Sequence, residues 1–120
     1  MQVFIKGIII LLTKYKGVLK LTQEELVVKM FKALGHPIRY KIVKFLLDGP
    51  QCVCKLNENI EFSQSNLSQH LRILKDAGIV KGDKIGLNIH YSLTSDEIKK
   101  LFEAADGVIK ARLKMLEKEI

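Results

Sequence analysis

Apolar side chains recur every three to four residues through most of this chain, which is the spacing of helices that bury one side. The clearest case lies at residues 62–78, where three leucines recur at i, i+4 and i+7. They are Leu67, Leu71 and Leu74. Ser63 can cap this helix at its start, and Gly78 can take the left-handed conformation that commonly ends a helix. The pattern predicts one helix here with a buried leucine face.

Two helices are predicted before it. Thr22 and Glu25 have the spacing of a capping box, so the first helix begins there and Gly35 ends it. Pro37 is suited to the first position of the second helix, and residues 48–50 end that helix. Their predicted buried stripes are formed by Leu26, Met30, Phe31, Leu34, Ile38, Ile42, Phe45 and Leu46.

A short helix at Gln51–Asn57, a turn and the long leucine helix together predict a helix-turn-helix. Apolar and polar residues alternate after it, which predicts a hairpin of strands Ile79–Asp83 and Leu87–Leu93. The turn is expected at Lys84–Gly86, so Lys84 would lie at the tip of the hairpin, with Leu87 and Ile89 on its buried side.

The last helix is predicted to begin after a cap at Thr94 or Ser95 and to continue almost to Ile120. Its long apolar seam consists of Ile98, Leu101, Ala105, Val108, Ile109, Leu113 and Leu116. A terminal helix with so apolar a side in a small protein favours a dimer contact.

The pattern defines three regions. Residues 1–21 are apolar and then basic; a strand or a frayed arm is open, but we expect an extra helix that contacts a dimer partner. Residues 22–94 form a winged helix-turn-helix core, and residues 95–120 form a C-terminal dimerisation helix. The predicted fold class is mainly α with a small β-hairpin (α+β), winged helix-turn-helix and dimeric.

The long helix carries short neutral polar groups and one cation opposite its leucines. These are Gln64, Ser65, Ser68, Gln69 and Arg72. Serine lowers helix stability, and exposed helices usually carry Glu and Lys instead. Amide, hydroxyl and guanidinium groups form hydrogen bonds with base edges in the DNA major groove. We therefore predict that this face contacts DNA rather than solvent alone.

Composition agrees with a nucleic-acid partner. The 120 residues carry 20 Lys and Arg against 13 Asp and Glu, a net charge of +7. Two cysteines are too few for a secreted disulfide scaffold, and residues 7–12 are too short an apolar run to span a bilayer. We expect a cytoplasmic protein without a membrane partner. Enzymatic activity is not expected, because the chain has no phosphate-binding loop and no nucleophile–base pair at a known spacing.

The chain resembles the ArsR family of metalloregulatory repressors across Glu25 to Leu93. The resemblance rests on the segments 34–39, 52–56, 63–80 and 86–93, of which the third is the most specific. It implies a homodimer joined through the first and last long helices. It also implies that the dimer binds a pseudo-palindromic double-stranded operator and that an inducer weakens this binding.

Base contacts are expected from the five polar residues of the long helix. Phosphate contacts are expected from Lys41, Lys44, Lys81 and Lys84, although each could equally be a plain surface lysine. His70 lies at the edge of the leucine stripe and is expected to position the DNA-binding helix. The three histidines, His36, His70 and His90, are scattered along the sequence and form no metal-ligand spacing.

Cys52 and Cys54 can chelate a thiophilic ion such as As(III), Sb(III), Cd(II), Pb(II) or Zn(II), which would act as inducer rather than as a required cofactor. On a regular helix, residues i and i+2 point about 200° apart. Chelation is therefore predicted to unwind the start of the short helix. A third thiol three residues later is frequent in arsenic sensors of this type, but here the position is Asn57.

Three alternatives stay open. The two thiols could be incidental, one of them a small core residue. They could instead form a redox pair in a thiol-responsive repressor. The whole domain could also be a winged-helix adaptor that binds protein and not DNA.

Overall fold

The structure is a computed structural model. It describes the backbone of residues 2–5, 8–13, 17–59 and 64–119, and the side chains of residues 21–56 and 66–119. Eleven elements follow in chain order. They are β1 (Gln2–Ile5), β2 (Ile8–Thr13), β3 (Gly17–Thr22), α1 (Gln23–Leu34), α2 (Pro37–Leu46), β4 (Gln51–Cys52), α3 (Val53–Asn59), α4 (Gln64–Asp76), β5 (Val80–Ile85), β6 (Asn88–Leu93) and α5 (Glu97–Lys118).

The N-terminal segment forms an antiparallel sheet in the order β1-β2-β3. The extra helix predicted for residues 1–21 is therefore wrong. The run Ile8-Ile9-Ile10 is β-branched, which lowers helix propensity and favours strands. Each of these isoleucines lies in β2, where it pairs with one residue of β1 and one residue of β3. The dimer contact expected of this segment stays a prediction.

The predicted caps of α1 and α4 explain where these helices begin and end. The Thr22 hydroxyl accepts from the Glu25 backbone N–H at 3.1 Å, and the Glu25 carboxylate accepts from the Thr22 N–H at 3.3 Å, which confirms the capping box. Gly78 has φ +78°, and the N–H of Ile79 donates to the Leu74 carbonyl at 3.0 Å. That is the expected left-handed end of α4. The cap predicted at Ser63 lies outside the described residues.

Helices α1 to α4, the start of α5 and the sheet of β4, β5 and β6 enclose one core. Its buried members are Ala33, Ile42, Val43, Leu46, Leu56, Leu67, Leu71, Leu74, Ile79, Val80, Ile98 and Phe102. The leucine face of α4 is thus buried as predicted. Phe31 was also predicted to be buried but is 55% exposed, since the side of α1 that carries it faces away from this core.

The wing is a hairpin of β5 and β6, and the second sheet has the order β4-β6-β5. Both strands differ from the prediction, because Lys84 and Ile85 pair with Ile89 and Asn88 and extend the ladder. A two-residue turn, Gly86-Leu87, then closes the hairpin, with Gly86 at φ +63°. The tip is therefore Leu87 and not Lys84.

The outer part of the wing lies beyond the core. For this reason Leu87 and Ile89, which alternation placed on a buried side, are 98% and 45% exposed. The short helix also differs from its prediction. It begins at Val53 and not at Gln51, because Gln51 and Cys52 pair with Tyr91 and His90 as the edge strand β4.

The cap predicted for α5 at Thr94 or Ser95 is wrong by one residue, because the N-cap residue is Asp96, whose side chain forms no capping hydrogen bond. The Ser95 hydroxyl accepts from the Glu97 N–H at 3.1 Å. Thr94 has another role, since its hydroxyl donates to the Gly78 carbonyl at 2.6 Å and joins the end of the wing to the end of α4.

Candidate functional site

Helix α4 presents a polar surface to solvent. Ser68, Gln69 and Arg72 are exposed, and the leucines of the opposite side anchor the helix in the core. Gln64 and Ser65 belong to the first turn of α4, but their side chains lie outside the described residues. The exposed row can offer hydroxyl, amide and guanidinium groups to a ligand that lies along the helix.

Arg39 connects α4 to the helices before it. Its Nε donates to the Ala33 carbonyl at 2.6 Å, and its Nη2 donates to the Lys32 carbonyl at 3.5 Å. Its Nη1 lies 3.3 Å from Nδ1 of His70. The guanidinium thus joins the end of α1 to the middle of α4, and His70 turns toward the domain interior.

His36 completes this cluster. Its Nδ1 accepts from the Ile38 N–H at 3.1 Å and so caps α2. The rings of His36 and His70 lie 4.6 Å apart between centroids. The turn between α1 and α2 brings His36 to α4, so these two rings are in contact although the residues are far apart in sequence.

The surroundings of His70 disfavour the protonated form of its ring. Burial lowers the pKa of His70 below 6.5, and the neighbouring His36 and Arg39 lower it further. Both Nδ1 atoms face hydrogen-bond donors, so both rings carry their proton on Nε2 in this arrangement.

The lysines predicted to contact phosphates are all at the surface. Lys81 and Lys84 lie on β5, and Lys41 and Lys44 lie on α2. The Lys44 ammonium lies 5.8 Å from the centre of the Tyr40 ring. Lys84 is one strand position from the turn rather than at the tip.

Cys52 and Cys54 lie together where β4 becomes α3, and the structure joins them by a disulfide. Their Cα atoms are 5.2 Å apart, and the Cys54 N–H donates to Cys52 Sγ at 3.1 Å. Cys52 is buried and Cys54 is exposed. The hypothesis that chelation must unwind a helix is therefore corrected, because the strand–helix junction already brings the two sulfurs to one place.

This thiol pair is part of the wing sheet. Cys52 is directly opposite His90, and Gln51 is opposite Tyr91, so β4 is paired to the strand that leads down from the wing tip. Two thiolates are suitable donors for a soft metal ion. Among the residues that the structure describes, no three His, Cys, Asp or Glu side chains are grouped as a metal site.

His36 and Arg39 are the residues whose importance the sequence interpretation missed. A histidine directly before a proline at the first helical position could have suggested the cap. The Arg39 contacts could not have been found in this way, since they join residues 6, 7 and 31 positions apart.

No helix within the described part of the chain is long and apolar enough to cross a bilayer.

Comparison with known proteins identifies what the chain is similar to. Residues 36–81 match the model described as "Bacterial regulatory protein, arsR family". The chain is 45% identical over 80 residues to a cadmium resistance transcriptional regulatory protein, CadC homolog, of Staphylococcus aureus, covering 66% of each protein. It is 40% identical over 72 residues to the arsenical resistance operon repressor of Bacillus subtilis, covering 59% of this chain and 69% of that protein.

A solved structure agrees with the fold. The crystal structure of Rv0081 from M. tuberculosis aligns with a TM-score of 0.70 at 32% identity, over 76% of this chain and 92% of that chain. The matched regions include the helix-turn-helix, so α4 occupies the place of the DNA-binding helix in a winged helix-turn-helix.

Proposed function

Because this chain belongs to the arsR family of bacterial regulatory proteins, we propose that it represses transcription as a homodimer on a pseudo-palindromic operator. We propose further that a reaction at Cys52 and Cys54 releases it. The observation that carries the proposal is the surface of α4, which is polar, free of acidic groups at the described positions 68, 69 and 72, and anchored by buried leucines.

Base contacts are assigned to α4. Ser68, Gln69 and Arg72 are exposed along one side of the helix, and Gln64 and Ser65 precede them in its first turn. Arg pairs with guanine and Gln with adenine through two hydrogen bonds each in the major groove. His70 serves as a positioning residue, because its ring lies against His36 and next to Arg39 rather than among the exposed groups.

Phosphate contacts are assigned to Lys84 and Lys81 on the wing and, secondarily, to Lys41 and Lys44 on α2.

These contacts are tested by the salt dependence of binding to duplex DNA, measured by fluorescence anisotropy. Each phosphate contact contributes a slope of about −0.9 in log affinity against log salt. We expect Lys84→Ala to reduce the slope by about that amount per wing and Lys99→Ala, an exposed lysine on α5, to leave it unchanged.

The same measurement separates DNA binding from the adaptor alternative. Neutralised phosphates release counterions, whereas a protein partner would give no such slope. If the wild-type protein enriches no duplex from a random-sequence pool, the repressor proposal is refuted, and weak DNA binding without salt dependence would then favour the adaptor.

The inducer site is assigned to the thiol pair. Reduced Cys52 and Cys54 supply two thiolates to a soft ion such as As(III), Sb(III) or Cd(II). The names of two relatives, an arsenical repressor and a cadmium resistance regulator, support this class of inducer. A third donor would come from a partner subunit or a small thiol.

Thiol oxidation is the second candidate, and the disulfide between Cys52 and Cys54 is the observation that favours it. Two thiols would lose two electrons and two protons to an external oxidant. In both cases the change occurs where β4 becomes α3, and Cys52 of β4 is paired with His90 of β6, which leads to the wing. The wing, rather than an unwound α3, is therefore the route by which we propose that the operator is released.

The two candidates are tested together. Reduced protein bound to its selected duplex is titrated with As(III) or Cd(II) without oxidant, or with diamide without metal. Ion-induced release that is lost in Cys52→Ser and in Cys54→Ser supports the metal site. Release by diamide alone supports oxidation. Release that persists in both serine variants refutes any inducer role for these thiols.

A further inference from the structure

We infer that Leu87, at the tip of the wing, selects A·T pairs by its shape where the wing meets the minor groove of the operator. This inference rests on the proposed function, since it names how a second part of the same DNA surface contributes to specificity. We call the tip formed by Ile85, Leu87 and Ile89 the apolar wing tip.

The side chain at the apex of the wing is almost entirely in solvent. Leu87 is 98% exposed, Ile85 is 60% exposed and Ile89 is 45% exposed. Single exposed apolar residues are common. Here Ile85 and Ile89 lie on opposite faces of the hairpin and Leu87 lies at its turn, so the end of the wing is apolar on both faces and at the apex. A more polar turn would serve the hairpin equally well, because its geometry depends on Gly86 at φ +63° and not on the residue after it.

The charges around the tip indicate what it contacts. Lys81 and Lys84 are exposed on β5. Lys84 is on the face of its ladder partner Ile89, and Lys81 is on the other face with Ile85, so each face of the wing carries a cation and an apolar group. Asp83 is the acidic residue of the hairpin, and it lies on the face of Lys81, where it pairs with His90. An apolar apex with ammonium groups behind it suits a groove with phosphates on its rims.

The minor groove fits better than the major groove. It is about 6 Å wide, which admits a side chain at the apex of a turn but not the two strands. Proteins that bind there frequently insert Leu, Ile or Phe. A·T pairs offer only acceptors in this groove, whereas G·C adds the N2 amino group of guanine. A leucine can neither accept from that amino group nor avoid it, so Leu87 should disfavour G·C.

The experiment uses the full chain and a duplex enriched from a random-sequence pool by the wild-type protein. A hydroxyl-radical footprint locates the base pairs under the wing. Those pairs are then made A·T, G·C or inosine·C. Inosine·C presents the major groove of G·C but lacks the amino group in the minor groove.

We expect the wild-type protein to bind the A·T and inosine·C duplexes alike and the G·C duplex about tenfold more weakly. Leu87→Ala should lose about tenfold on the first two and bind all three alike. Its salt slope should equal that of the wild type, because no phosphate contact is removed. Leu87→Met, which conserves volume and apolarity, should retain the discrimination.

Two controls separate the possible outcomes. Lys84→Ala should lower the salt slope and keep the preference for inosine·C over G·C. Circular dichroism of Leu87→Ala should match that of the wild type, since the side chain is almost fully exposed. If Leu87→Ala discriminates as the wild type does, the inference is overturned while salt-dependent DNA binding stands.

A change in sedimentation of Leu87→Ala would also overturn it, because the tip would then be a contact between copies of the chain. If no duplex is enriched from the pool, the proposed function itself fails. This result can be told apart from unchanged discrimination by Leu87→Ala and from a change in its sedimentation, which concern the wing tip alone.

Discussion

The guanidinium group of Arg39 donates hydrogen bonds to two carbonyls of α1 and also contacts the imidazole of His70. A lysine could not make these contacts together, because its ammonium is a single point of charge. His36 stabilises the same region by capping α2 and packing on the His70 ring. The orientation of α4 thus depends on three residues outside its exposed surface.

The lowered pKa of His70 makes stability depend on pH. An unfolded histidine has a pKa of about 6.5. The unfolded chain therefore binds this proton at a higher pH than the folded protein does. The contribution to the free energy of unfolding is complete above that pH and is lost as the pH falls toward the lower value of the folded state.

We expect urea midpoints to fall between pH 7.5 and pH 5.5 in the wild-type protein and to fall less in His70→Gln. Glutamine keeps a polar group near Arg39 but does not titrate. The comparison of the two proteins removes the contribution of groups that they share. An equal fall in both proteins would contradict the role given to His70.

At the scale of elements, the capping box of α1 is a contribution that can be measured alone. We expect Thr22→Ala to lower the free energy of unfolding by about 1 kcal/mol, because the N–H of Glu25 loses its acceptor. Thermal unfolding monitored by circular dichroism should show a midpoint about 4 °C lower.

Thr22→Ser is the matched control, since it keeps the hydroxyl and should restore most of the midpoint. A loss in Thr22→Ser as large as that in Thr22→Ala would mean that the threonine methyl group matters and that the cap does not.

The elements that the sequence predicted well are those set by local chemistry. The buried leucines of α4, the capping box and the left-handed end at Gly78 all follow from residues within a few positions of each other. The strand β4 could not be predicted in this way. It has two residues and exists only because β6, almost 40 residues later, offers a partner.

The same reason explains the errors at the site. The short strand places Cys52 outside α3, and this changes the mechanism from an unwound helix to a paired strand. The wing turn begins two residues later than predicted, at Gly86 and not at Lys84, because the alternation of apolar residues continues through Ile85 and Leu87. The side chains at the tip were consequently mistaken for buried ones.

At the scale of the whole molecule, two helices leave apolar side chains uncovered. On α1 these are Val27, Val28 and Phe31, and on α5 they are Val108, Ile109, Leu113, Met115 and Leu116. Phe102 fixes the start of α5 by stacking on Tyr40 at 5.2 Å, so the second half of this helix extends past the core. Surfaces of this kind favour association with a second copy.

We expect Leu113→Glu to convert the proposed dimer to a monomer, because each interface would bury an unpaired carboxylate in place of an apolar side chain that is 55% exposed in a single chain. Sedimentation equilibrium at micromolar concentration measures the change. Binding to a two-half-site duplex should weaken by roughly 100-fold or more, since linked half-site contacts become independent.

Lys114→Glu is the matched control. It places the same carboxylate on the same helix at an exposed position, and Lys114 lies about 200° around the helix from Leu116, on the side that also carries Lys110 and Lys118. This variant should remain a dimer with unchanged DNA affinity. Two dimeric variants would mean that the apolar side of α5 is covered by something other than a second copy. Two monomeric variants would point to charge, and not to the loss of one apolar contact, as the cause.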